Sequence, residues 1–126
     1  MPVLTEPPSM GDILKYEVNP NYTREVITLQ LGLSYPAGSV LGRITASGKY
    51  TLSPATGADG SQTAVAVLLY PVNATLADAV GIIVTRGPAI VSRAALAYEA
   101  TVNDAAKIAA KITQLAAVGI IARDGV

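Results

Sequence analysis

Residues 63–72, TAVAVLLYPV, form a nearly continuous apolar run of strand length. A strand with one wet face alternates apolar and polar residues, so an unbroken run belongs to a strand buried on both faces. The segments before it read as strands too. ILKYEV (residues 13–18) and REVITLQL (residues 24–31) are separated by NPNY, whose Asn and Pro residues favour a turn. In the second, Val26, Thr28 and Gln30 alternate with Ile27, Leu29 and Leu31, which predicts one buried face.

Pro36, Ala37 and Gly38 predict a turn, residues 40–45 a strand, and Ala46-Ser47-Gly48 a second turn toward the strand-like KYTLSP. Gly42, inside the strand, costs about 0.5–1 kcal/mol unless a bulge or a close backbone approach needs it, so it reads as a bend. PATGADGSQ reads as an exposed loop. Beyond the apolar run, VGIIVTR and AIVSRAALAYEA flank a Gly87-Pro88 break and read as two strands joined by a tight connection. Only the last quarter changes period. Ala105, Ile108, Ile112, Leu115 and Ala116 recur at helical spacing, Lys107 and Lys111 read as a solvated face, Asn103 or Asp104 can cap the start, and Gly119 can end the helix before GIIAR returns to strand.

The expected architecture is therefore mainly β, with one short C-terminal helix and no internal repeat. At 126 residues it is one domain. Residues 1–12, MPVLTEPPSMGD, are rich in Pro, Ser, Gly and acid and read as a flexible N-terminal arm, leaving residues 13–126 as the β-rich domain. ILKYEV, next to the arm, alternates Ile13, Lys15 and Glu17 with Leu14, Tyr16 and Val18, so these six residues can pair with an exposed sheet edge of a partner and are the candidate binding residues.

Composition narrows the chemistry. The chain has no Phe and no Trp, so its core is aliphatic with six Tyr as the whole aromatic set. It has no His and no Cys, which removes the usual general base, thiolate metal sites and disulfides. Nine basic and nine acidic side chains balance, giving no field that steers the chain toward nucleic acid or an acidic membrane. No apolar run approaches the roughly 20 residues of a membrane-spanning helix, and the N-terminus lacks the pattern of a secretory signal, so the expectation is a soluble protein made in the cytoplasm.

Catalytic readings survive only by elimination. A Ser or Thr nucleophile would need a base, and without His only a Ser–Lys dyad with Lys15, Lys49, Lys107 or Lys111 remains, while no context singles out two of Glu17, Glu25, Asp59, Asp78 and Glu99 as a carboxylate pair. Asp59-Gly60-Ser61 lacks the ligand run of a calcium loop and reads as a turn. The expectation is no enzyme, no catalytic residue, no cofactor, no metal and no small-molecule substrate.

The succession NPNYTREVITL, PAGSVLGRI, GKYTLSPAT, DGSQTAVAVLLYPV and GPAIVSRAALAYEA, ahead of a C-terminal helix, resembles the head decoration protein D family of tailed bacteriophages from about Leu14 onward. The resemblance implies a β-clip-like small barrel or ribbon, a homotrimer, and a place on the outer surface of the virion capsid. There trimers bind the major capsid protein at three-fold positions of the expanded head and hold the shell against packaged DNA. It also implies an arm that orders against the capsid protein, although the short, proline-containing arm here departs from the lambda-type pattern. Another phage structural protein, of tail or baseplate, and a small carbohydrate-binding or hydrolytic module remain alternatives at this point.

Overall fold

In the computed structural model, which describes residues 13–124, the apolar run supplies the strand around which the domain is arranged. This strand, β6 (Ala64–Leu68), lies between β4 (Val40–Arg43) and β8 (Ala79–Val84), antiparallel to both. Ala66 and Leu68 pack with Leu29, Tyr35, Leu41, Ala74 and Ile83, whereas Val67 and Leu69 belong to a second cluster with Ile13, Val84, Val91, Leu115 and Ile120. Both faces of the strand are therefore dry, which is why the sequence there has no alternation.

The fold is mainly β with one C-terminal helix of several turns, as expected. β2 (Arg24–Leu29) pairs with β8 along its full length, and β5 (Tyr50–Leu52) pairs with β4. The five strands, in the order β2-β5-β4-β6-β8, curl until β2 and β5 meet. They touch at one residue pair, Leu29 with Tyr50, beside a Gln30 N–H to Tyr50 O bond of 2.9 Å. The wall next to that join stays open. The first core cluster fills the inside of this curl.

The second cluster lies between the curl and a covering layer. That layer is a three-stranded sheet, β1 (Leu14–Glu17), β9 (Ala89–Ser92) and β10 (Ile120–Arg123), in the order β1-β9-β10, together with helix α2 (Ala105–Ala117). The short strands β3 (Ser34–Tyr35) and β7 (Val72–Asn73) form a separate pair. VGIIVTR and AIVSRAALAYEA do give two strands across a tight connection, but β8 and β9 belong to different sheets, and β9 gives way to a 3₁₀ turn at Arg93–Ala95 midway through AIVSRAALAYEA.

Local chemistry explains the turns. Asn19 accepts from the Asn21 N–H at 2.9 Å and Pro20 starts the one-turn helix α1 (Pro20–Thr23), so NPNY folds the chain back from β1 into β2. Gly42 sits where the β4–β6 register shifts, against the backbone of Ser61, so it serves both the bend and the close approach. Asp104 caps α2 by accepting from the Lys107 N–H at 2.8 Å, and Gly119, at φ +87°, lets the chain leave the helix for β10.

Helix α2 also corrects the sequence reading. Leu115 is fully buried and Lys107 exposed, but Ile108 and Ile112 are only half-buried, while Lys111 is 2% exposed. Lys111 stands four residues before Leu115 and so lies in the same inward stripe. Its Nζ donates to Ser53 Oγ at 2.9 Å and to the carbonyls of Pro54 and Gln62, both at 2.6 Å. The loop PATGADGSQ is accordingly exposed only at its tip. Its base, including buried Ser61, is fastened to the helix.

Candidate functional site

Of the six residues from Ile13 to Val18, four form β1 with Ile13 and Val18 flanking it, and they divide into two groups. Ile13 is fully buried among Val91, Leu115 and Ile120, and Leu14 packs against the same cluster. Tyr16 and Val18, two residues apart on one face, are 52% and 50% exposed. Lys15 is exposed as well. β1 is the outer strand of its sheet: β9 pairs with one edge, with a register shift between Leu14 and Tyr16 and a Val18 N–H to Pro88 O bond of 3.1 Å. The other edge has no strand partner among the described residues. Residues 1–12, read as the arm, lie outside the described part of the chain.

Glu17 fixes β1 to the next element. Its carboxylate takes the Arg24 guanidinium at 2.5 Å and the Thr23 hydroxyl at 2.5 Å, because α1 returns the chain alongside β1. Burial pushes the Glu17 carboxyl up, but the hydrogen bonds from Arg24 and Thr23 and the charge of Arg24 outweigh it and hold the group below its ordinary 4.5. A carboxyl lowered in the folded state stabilises it above its unfolded pKa, and that contribution is lost as pH falls below 4.5 through the folded value. Acid titration of unfolding should therefore show a loss of stability in that range, and Glu17→Gln should flatten it. An unchanged acid profile in the variant would show that the Glu17–Arg24 pair does not fasten β1.

The outer face of the β2–β8 pair is a second surface, one that sequence reasoning missed. Val26 lies opposite Ile82, and Thr28 opposite Val80; Val26 and Val80 are 67% and 66% exposed. Leu76, Leu31 and Leu33 are exposed near the β3–β7 pair. The alternation in REVITLQL predicts one buried face without saying which; the structure buries Leu29, but the strand ends there, and Leu31 is left outside.

The residues weighed for chemistry are engaged in structure. Ser53 and Lys111 stand at the distance of a Ser–Lys dyad, yet the Ser53 hydroxyl donates to Ser61 O at 2.7 Å, and the ammonium's remaining donors go to the two backbone carbonyls. Both side chains are buried, so the pair is a fastening. The carboxylates are dispersed: Glu17 with Arg24, Glu25 with Arg86 at 2.7 Å, Asp78 with Lys49 at 2.6 Å, and Glu99 with Thr101. Asp59 accepts from the Ser61 N–H and hydroxyl at 3.0 and 2.6 Å, the turn expected. No group of three or more potential metal ligands gathers among the described residues.

No curated protein compared with the chain matches it. The family model described as bacteriophage lambda head decoration protein D matches residues 3–120, which is nearly all of the sequence. The chain thus belongs to the bacteriophage lambda head decoration protein D family, whose members are structural proteins of the phage capsid.

Proposed function

We propose that the protein binds the outside of the expanded phage head as a homotrimer at three-fold positions and stabilises the shell against the pressure of packaged DNA. The match to the decoration family over residues 3–120 carries this reading. The partner is the major capsid protein. A ligand that binds only one state of the shell stabilises that state by its binding free energy, and many copies on a closed shell make the sum large.

Ile13, Leu14, Lys15, Tyr16, Glu17 and Val18 are the proposed capsid-binding residues, with a division of labour that the burial pattern supports. Ile13 and Leu14 anchor the strand, Glu17 ties it to Arg24, and Tyr16 and Val18 present apolar surface beside an open strand edge. A capsid strand added there would gain about 0.5–1.5 kcal/mol net per backbone bond, so one contact is weak and three on a trimer are firm.

Changing Tyr16 and Val18 together to Ser should leave unfolding nearly unchanged and weaken binding to expanded heads by about ten-fold or more. Deleting residues 1–12 should spare the fold, whereas deleting residues 1–18 removes Ile13 from the core and should prevent folding. Undiminished head binding by the double variant would exclude β1 as the contact. A protein that stays monomeric on heads after cross-linking would exclude the trimer.

A further inference from the structure

β2 has a second, unfilled edge. The Thr85 N–H donates to Thr23 O at 3.0 Å, and the β2–β8 register then makes Glu25–Ile83, Ile27–Gly81 and Leu29–Ala79 the pairs that exchange hydrogen bonds. The peptide groups of Arg24, Val26 and Thr28 must point the other way, toward β5. The Gln30 N–H to Tyr50 O bond has the phase this requires. Yet Tyr50 alone of β5 reaches β2, and only at Leu29. Both backbone groups of Val26 and the Thr28 N–H have no bonding partner among the described residues.

Those groups face a cleft of about 500 Å³, lined by residues 25–28 on one side and by the turn Ser47, Gly48, Lys49 and Tyr50 on the other. The rim is basic. Arg43, Lys49 and Arg86 stand there against Glu25 alone. Lys49 is held by Asp78 and Arg86 by Glu25, while Arg43, exposed at the rim, has no acidic partner among the described residues. The Val26 side chain, 67% exposed, offers an apolar neighbour to whatever pairs with the strand.

We propose that this cleft is a strand-addition site for an extended acidic segment of a partner protein, which pairs with the open edge of β2 at Val26 and Thr28 and places a carboxylate on Arg43. Backbone bonds supply the attachment and the rim charge selects the sign of the peptide. The site is separate from β1 and does not depend on capsid binding.

The test is an amide-resolved NMR titration of the full chain with acetyl-Val-Glu-Val-Glu-Val-amide and, in parallel, its counterpart with Lys in place of Glu. Saturable shifts are expected at the amides of Val26, Thr28 and Ser47 to Tyr50, with the acidic peptide about ten-fold tighter. Val26→Pro removes a donor that faces the cleft and not β8, so it should abolish binding while circular dichroism stays unchanged. Should that variant not fold, Arg43→Glu, at the exposed rim, reads the same site by reversing the preference toward the Lys peptide. Equal binding of the two peptides, shifts confined to β1, no saturable shift, or the same shifts produced by raising protein concentration without peptide would each overturn the proposal.

Discussion

Replacing Lys111 by Met should lower the unfolding free energy by about 2–4 kcal/mol, although the substitution keeps the apolar stem and removes only the charged head. Three donors are lost, and the part-buried carbonyls of Pro54 and Gln62 are left without their partner. Burial holds the Lys111 pKa below its ordinary 10.5, with the carboxylate of Glu99 opposing, so the ammonium resides in the interior at a cost that its acceptors offset. Lys107, exposed on the same helix, provides the control: Lys107→Met should change stability by no more than about 0.5 kcal/mol. Chemical denaturation of the two variants decides the matter. Equal midpoints would mean that the grip on residues 53–62 contributes nothing.

Gly42→Ala should be comparably damaging, at about 3 kcal/mol or more, and by a different route. A Cβ at Gly42 would lie 2.6 Å from the Ser61 carbonyl carbon and 2.7 Å from its Cα, and nearer still to its oxygen. That backbone has little room to yield, because Ser53 bonds Ser61 O and Lys111 bonds the next carbonyl along. Gly57 lies in the same loop, but a Cβ there meets only Gln62 and Pro54 side-chain atoms at 3.6 Å or more. Gly57→Ala should therefore change stability by no more than about 0.5 kcal/mol. Thermal unfolding that treats the two glycines alike would refute the close approach of β4 to Ser61.

These two positions also mark how far the sequence can be read. Gly42 was legible as a bend because a glycine inside a strand is a cost that must be offset by something nearby. Asp104 and Gly119 were legible as helix signals because capping is local chemistry, and the apolar run was legible because burial on both faces leaves no alternation. Lys111 was not. Its place in the inward stripe follows from its spacing to Leu115, but its charge argued for solvent, and the carbonyls that receive it come from a loop some fifty residues earlier. No local pattern records that encounter.

The same limit applies to the surfaces. Ile13 to Val18 were legible as a strand from their alternation. Which of them are anchors and which are exposed depends on pairing with β9, some seventy residues onward. The exposed Val26 and Val80 become neighbours only once β2 meets β8, and the open edge of β2 exists only because β5 starts at Tyr50, beside the end of β2, while the residues before it form a turn. Two-residue strands such as β3 and β7 carry too little sequence to announce themselves, so Val72 reads only as the end of the apolar run.

The central claim is attachment to the expanded head, and imaging of expanded, DNA-free heads mixed with the purified protein tests it most directly. The account predicts added density on the outer surface at every three-fold position, three copies to a site, with β1 turned toward the shell. Heads that stay bare at saturating protein, or density confined to tail or portal structures, would contradict it.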